Sequence, residues 1–437
     1  MTTADWPPLE KLPLHSLEAT CAALLPSTLK FAAEAVPYYR RRWRHVRALK
    51  LSALPFLHKP EAIAHQRDLL TARDAYTGVI SSGTHHTTGP VLQVPRTDDE
   101  ARATEAYNEA LGGDGAPDDG WTLEVRAAHH GVSDVQPGRL LVLWTYSTQP
   151  PRLVEQLLSR PQADGRRITT MVINAGALKP LTAWFLSRGI QPARFKLQLI
   201  GTTSFRLSPF WKALVEEVWG CPVFDNFSLS ELPGPAIECE DCGFHHWLPP
   251  PMVTEVVDPV SKRPLKSGTG VLVVTTLAPF VTRMPLIRYW TGDVVTLGPR
   301  CKATGVRGFR ARGREAQSLW HRKHGLLVAA QDVTDFLEGR PEVSRHPHPM
   351  ETLGFIPPGD CGAVKFELSQ ARREVRVKVE LRFDPLLYSV EAAAVATALT
   401  RHLMTASSGL KRYDSTDGEL VIEVCRPGAL QKPWMKL

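Results

Sequence analysis

Two carboxylates, Glu231 and Asp293, have the neighbours that chemistry would ask for. Glu231 closes the run Phe227-Ser-Leu-Ser-Glu231, an acid behind small hydroxyl residues, and Asp293 closes Met284-Pro-Leu-Ile-Arg-Tyr-Trp-Thr-Gly-Asp293. Magnesium prefers hard oxygen ligands and commonly takes one or two carboxylates, with phosphate oxygens and water completing its shell, so a single Glu beside Ser230 is enough. A second acid suits sugar hydroxyls, because an ionised carboxylate accepts hydrogen bonds well. Together the two acids suit a site that holds a nucleoside triphosphate, its magnesium and its ribose.

A third segment adds phosphate chemistry. Val79-Ile-Ser-Ser-Gly-Thr84-His-His-Thr-Thr-Gly89-Pro90 follows an apolar start and offers the hydroxyls of Ser81, Ser82, Thr84, Thr87 and Thr88 with Gly83 and Gly89. Glycines let backbone N–H groups approach phosphate oxygens, and Ser and Thr add donors. Standing alone, the same composition also describes a surface turn.

Metal ligands are a further theme. Cys239-Glu-Asp-Cys242 is a C-x2-C pair, with His245 and His246 just beyond it. With a further cysteine such as Cys301, and His245 taken as the imidazole, three soft ligands and one nitrogen would close a tetrahedral structural zinc site. Such a site would pin the loop next to Glu231 with an apparent binding energy of about 10–16 kcal/mol. An incidental C-x2-C pair is the competing reading, and no thioredoxin-like unit surrounds it that would suggest redox work.

Periodicity indicates the elements that must position these residues. Ser16 to Leu25 and Thr28 to Ala35 carry apolar residues at helical spacing, and the prolines between and after them predict two separate helices. From about residue 78 to 310, strand-like runs (Leu140 to Trp144, Thr169 to Ile173, Lys196 to Ile200, Val271 to Thr276) alternate with helical ones such as Pro209 to Trp219. Strands separated by helices predict parallel sheets with helices on their faces and binding sites at strand carboxyl ends. After Gly313-Arg314 the texture changes to a smaller mixed unit: helix over Asp332 to Leu337, alternating strand over Arg373 to Arg382, long amphipathic helix over Val390 to Met404.

Bulk properties narrow the class. At 437 residues the chain exceeds the roughly 250–300 residues that one core organises, so two units are expected. There is no apolar run of the ~20 residues a membrane span needs and no basic-then-apolar leader, which predicts a cytoplasmic protein. The net charge of +7 is spread along the chain, apart from Arg40 to Arg47, and fits an anionic small molecule better than nucleic acid. Seven scattered cysteines, an odd number, do not form a secreted disulfide framework.

These runs resemble the phenylacetate-CoA ligases of the adenylate-forming superfamily. The resemblance rests on the two acid motifs, on Pro233-Gly-Pro-Ala-Ile-Glu-Cys239 and Gly243-Phe-His245-His-Trp247 between them, and upstream on Val36-Pro-Tyr-Tyr-Arg40 and Ala53-Leu-Pro-Phe-Leu-His-Lys-Pro60. It implies an α/β fold, with a large N-terminal domain of mixed and parallel β-sheets flanked by helices (residues 1–312) and a smaller, mobile α+β C-terminal domain (residues 313–437). The loop at 79–90 resembles the family's phosphate loop, Ser-Ser-Gly-Thr-Thr-Gly-Lys-Pro, but His85-His86 are inserted and the lysine after Gly89 is missing. Either histidine is a candidate replacement.

Residue by residue, the resemblance gives Glu231 the magnesium and Asp293 the ribose. Phe227 would cover the adenine, with Ser228 standing where the family has Gly and Ser230 beside the acid. Gly201, in Leu199-Ile-Gly-Thr-Thr-Ser204, takes the place of a Gly-Ala-Glu segment that lines the base. Arg314 resembles the hinge arginine that reaches the nucleotide, though the acids that normally follow are replaced by Glu315-Ala-Gln317. Lys436, after Pro427-Gly-Ala-Leu430, matches the tail lysine that contacts carboxylate and α-phosphate. Cys301 falls where related proteins often carry a further cysteine.

The implied activity is ATP- and Mg²⁺-dependent activation of a small carboxylic acid, aromatic by analogy, to an acyl-adenylate that passes to the thiol of coenzyme A. Two alternatives stay open: transfer to an acyl carrier protein or an amine in a biosynthetic pathway, and a nucleotide-binding homologue that has lost catalysis. No nucleic acid partner and no membrane span are expected, and self-association as a homodimer is compatible with the sequence.

Overall fold

Leu17–Ala35 form one helix, capped by Ser16, whose hydroxyl accepts from the Ala19 N–H at 3.3 Å. Pro26 lies inside it, so the two helices expected on either side are a single element. A mid-helix proline costs about 3 kcal/mol. Burial of Leu24, Leu29 and Ala32 along one face offsets that, since each buried leucine contributes about 1.5–3 kcal/mol.

The computed structural model describes residues 6–71, 82–83 (backbone), 92–111, 120–127, 138–247, 250–359 and 361–431. Two compact units emerge: Met1–Pro117 with Asn226–Arg310, and Asp118–Asp225 with Ala311–Leu437.

The first unit is built on antiparallel strands. Met252–Val257 pairs with Gly268–Thr276, which pairs with Tyr289–Arg300. Residues 271–276 are all buried, as expected for a strand covered on both faces. The two-residue strand Leu57–His58 adds to Tyr289–Arg300 in parallel, with Leu57 opposite Tyr289. A shorter pair sets Ser82 opposite Val94 and Gly83 opposite Gln93. Just beyond it, Thr97 and Glu100 form a capping box that starts the helix Asp98–Ala110. The same Glu100 carboxylate accepts the Arg283 N–H at 2.6 Å and so ties this helix to the segment leading to Asp293.

Arg288, within the second acid motif, is buried by a task of its own. It lies in the left-handed region (φ 50°) with its guanidinium forked onto Glu255 at 2.9 and 2.8 Å and its third arm on the Leu54 carbonyl at 2.6 Å. It also covers the Phe56 ring, 4.0 Å from the centroid.

The second unit contains the parallel sheet that the alternating pattern predicts. Trp121–Ala127 lies between Arg139–Trp144 and Ile168–Asn174, which pairs onward with Leu199–Thr203, and Leu199–Thr203 with Val223 to Asp225, all in parallel. The strand expected over Lys196 to Ile200 begins later. Pro192–Phe195 form a 3-10 turn closed by Lys196 in the left-handed region, which keeps Lys196 out of the ladder. Helices Gln149–Ser159, Ala175–Leu186 and Pro209–Trp219 supply the apolar faces, among them Trp184, Phe185 and Trp219.

Residues 311–431 of the same unit add the hairpin Ser318–His321 with Gly325–Ala329 and a three-stranded sheet. In that sheet Glu374–Glu380 is antiparallel to Phe366–Gln370 and parallel to Glu419–Cys425. Helices Ala330–Leu337 and Ser389–Ala406 occupy the expected places. Among the described residues no helix is long and apolar enough to cross a membrane.

Candidate active site and metal centre

Glu231 follows the strand Val223–Phe227 and is 6% exposed. Three side chains of the first unit converge on it. Tyr289 donates its phenol to Oε1 at 2.9 Å, Lys59 Nζ stands 3.5 Å from the same oxygen, and Arg96 Nη2 donates to the Glu231 backbone carbonyl at 2.7 Å. The parallel pairing of Leu57–His58 with Tyr289 and Trp290 explains how two of these arrive together, since Lys59 is the next residue along the short strand. A buried carboxylate needs such partners, because an isolated buried charge is strongly disfavoured. One phenol and one ammonium at a single oxygen fix the orientation of this carboxylate, a hard oxygen donor of the kind that magnesium takes.

Asp293 lies on the strand that carries Tyr289. It is 7% exposed, and its N–H donates to Thr291 Oγ1 at 3.0 Å, while Thr291 Oγ1 donates to the Leu272 carbonyl at 3.0 Å. The pairing with Gly268–Thr276 slips between Val271 and Val273, and Gly292 falls within that irregularity at φ +75°. A side chain at 292 would be strained in this conformation, so the glycine allows the bulge that re-aims the acid after it.

Phe227, half-buried, meets the Phe309 ring edge-on at 5.2 Å and also contacts Trp247 and His245. Ser228 is exposed and Ser230 half-buried on the short loop between Phe227 and Glu231. In the second unit, Gly201 is buried at the centre of Leu199–Thr203, opposite Val172 and Phe224. Arg314, also of the second unit, ends the strand Arg307–Arg314 behind Gly313 at φ +105°, and its carbonyl accepts from Ser318 Oγ at 2.8 Å. Ser82 and Gly83 are described as backbone only. Ser81, Thr84, Thr87, Thr88 and Gly89 of the phosphate loop, together with Lys436, lie outside the described residues.

The cysteines do assemble. Cys239, Cys242, His246 and Cys301 each offer one ligand atom, all within 4.8 Å of one another. Cys239 Sγ is 3.8 Å from Cys301 Sγ, and Cys242 Sγ is 3.2 Å from His246 Nε2. Zn–S bonds of 2.3 Å in a tetrahedron put two sulfurs about 3.8 Å apart, so the thiol spacing is that of a coordination shell. The imidazole is His246, in place of the expected His245. Both sit on the strand His245–Trp247, where alternate side chains face opposite ways, and His245 Nδ1 bonds the Phe309 carbonyl at 3.1 Å.

Two turns of one shape carry the sulfurs. The Gly243 N–H returns to the Cys239 carbonyl at 2.7 Å and the Gly305 N–H to the Cys301 carbonyl at 3.0 Å, with glycine φ values of +65° and +69°. Thr304, from the second turn, bonds His246 Nδ1 at 3.1 Å and so leaves Nε2 to face the thiols. Backbone N–H donation from Thr304 lowers the Cys301 thiol to about 7, and burial lowers His246 below its ordinary value. Burial raises Cys242 to about 11.

Lys59, Arg96, Tyr289 and Thr304 were not singled out from the sequence. Lys59 and Tyr289 lie inside segments that carried the family resemblance, so a signal was there to follow. Arg96 and Thr304 belong to no motif.

Glu231, Asp293 and the cysteine cluster all belong to the first unit. The chain is similar to 2-hydroxyisobutyryl-CoA ligase, solved in an open conformation with 2-HIB-AMP and CoA: TM-score 0.60, 16% identity, 97% of this chain and 91% of that one. This is the fold of the adenylate-forming ligases. An ATP-bound RpMatB-BxBclM chimera shares that ligase fold at TM-score 0.50 and 13% identity, covering 81% of this chain and 65% of that one. In sequence, the chain is 36% identical over 174 residues to the phenylacetate-coenzyme A ligase of Thermus thermophilus. The matched stretch spans 37% of this chain and 37% of that relative. No family model matches the chain.

Proposed function

We propose that this protein activates a small carboxylic acid with ATP and Mg²⁺ and transfers the acyl group to coenzyme A. The observation that carries the reading is the buried Glu231, oriented by Tyr289 and Lys59 within an adenylate-forming ligase fold. Its sequence likeness to a phenylacetate-coenzyme A ligase favours an aromatic acid. Its described helices and its thiols, none of them in a disulfide, suit a protein of the cytoplasm.

In the first step a carboxylate oxygen of the acid attacks the α-phosphorus of ATP and pyrophosphate departs. In the second the thiol sulfur attacks the acyl carbon and AMP departs. Glu231 would hold the magnesium, which offsets phosphate charge when bound. Asp293 would accept from the ribose hydroxyls, and Phe227, Ser228, Ser230 and Gly201 would bound the adenine and its loop. Arg314 and Lys436 would supply positive charge as the phosphorus is attacked. We also propose a hinge near residue 312, with residues 313–437 as the mobile part. We also place a structural zinc on Cys239, Cys242, His246 and Cys301, a donor set whose spacing fits that ion.

ATP–pyrophosphate exchange with a panel of carboxylic acids, aromatic acids first, tests the activation step. Exchange with at least one acid is expected. Its absence across the panel, in a chain that still binds ATP, would favour a homologue that has lost catalysis. Product mass in the presence of coenzyme A separates a thioester from transfer to a carrier protein or an amine.

A further inference from the structure

No lysine follows Gly89 in the run whose sequence suggests phosphate binding, and the structure offers a cation from elsewhere. Arg96 lies two residues beyond the strand Gln93–Val94, whose partner is Ser82–Gly83 at the start of that loop. Its guanidinium reaches the other way, with Nη2 on the backbone carbonyl of Glu231 at 2.7 Å. The side chain thus ends at the backbone of the residue whose carboxylate we assign to magnesium.

Its second terminal nitrogen is uncommitted. Nη1 is buried and has no hydrogen-bond partner. The nearby acid, Glu100, spends its oxygens on the N–H groups of Thr97, Thr282 and Arg283 and on the Thr282 hydroxyl. Lys59, the other cation at this point, is paired with the Glu231 carboxylate. A buried cationic N–H without an acceptor is costly and uncommon, and it marks a place where an anion belongs. A guanidinium anchored by one arm presents the other in fixed geometry, the property that suits Arg to phosphate oxygens.

We propose that Arg96 binds the polyphosphate of the nucleotide through Nη1, beside Glu231. The proposal rests on the nucleotide reading of the site and extends it to a residue outside the family motifs. Arg96 contacts substrate in this assignment, and its hold on Glu231 aligns the metal carboxylate with the same phosphates.

Calorimetric titration of ATP, pyrophosphate and AMP, without any carboxylic acid, gives a readout independent of turnover. Arg96→Met should weaken ATP and pyrophosphate by about ten- to a hundredfold, as expected for a lost charged hydrogen bond, and leave AMP within about twofold. Arg96→Lys should recover part of the loss. Equal weakening of ATP and AMP would make Arg96 only a clip on the Glu231 loop and overturn the proposal, as would unchanged ATP binding. A wild-type chain that binds none of the three ligands overturns the nucleotide reading and this proposal together. Circular dichroism and a thermal melt accompany each variant, and Arg96→Gln replaces Arg96→Met if the latter does not fold.

Discussion

Tyr289 donates its phenol to Glu231 at 2.9 Å from the strand that also presents Asp293 four residues later. One strand therefore orients the first acid and carries the second. Any shift in its register would disturb both carboxylates at once, and the anchoring of Arg288 by Glu255 and Leu54 opposes such a shift.

Glu231→Gln should lower pyrophosphate exchange by about a hundredfold or more, the scale for removing one well-placed electrostatic group, in a chain that still folds by circular dichroism. Tyr289→Phe keeps the charge and removes the orienting bond. It should raise the magnesium concentration needed for half-maximal exchange several-fold. A Glu231→Gln enzyme with wild-type exchange would remove this acid from the metal site.

Protein purified without chelator should contain about one zinc per chain. His246→Ala and Cys301→Ser should abolish it, whereas His245→Ala should retain it. Thr304→Val removes the bond that orients His246 and should weaken zinc by about ten- to a hundredfold. Metal analysis and competition with a chromogenic chelator report both effects.

Replacing Arg288 with Met leaves Glu255 without its fork in a largely buried setting, 5% and 13% side-chain exposure for the pair. Breaking one side of such a pair costs about 3–5 kcal/mol, and replacing both sides by apolar groups costs less. Urea unfolding of Arg288→Met, Glu255→Leu and the double variant should therefore show strong non-additivity. Independent effects would mean that the fork contributes little.

His348 should make stability depend on pH. Burial, with Lys179 adding to it, lowers this imidazole from 6.5 to about 4, and its Nδ1 accepts the Met350 N–H at 3.2 Å. The unfolded chain therefore takes up the proton first as the medium acidifies. Stability is complete above about 6.5 and is lost toward pH 4, by an amount on the order of 3 kcal/mol. His348→Asn can still cap the helix Pro349–Thr352 and should flatten the profile between pH 7 and 4.5. An equally steep profile in that variant would assign the acid sensitivity to other groups.

The parallel strands and the helix Pro209–Trp219 were legible because periodicity and boundary residues agree there. Pro26 misled because local propensity carries no information about the core that the helix Leu17–Ala35 packs against. His246 was indistinguishable from His245 in the sequence, since which of two adjacent residues faces the thiols depends on strand register. Glu231 and Asp293 were visible as motifs. Lys59 and Arg96 were not read as their partners, because pairings across 172 and 135 residues leave no mark on composition or spacing.

The spacing of Cys239 and Cys301, 3.8 Å between sulfurs with no bond joining them, bears on handling the protein. If the proposed zinc is bound there, stripping it with a strong chelator in air would expose two neighbouring thiols to crosslinking by oxygen. A preparation oxidised in this way would take up zinc again only after a reductant, and a phosphine reductant, which does not compete for zinc as dithiols do, suits that step.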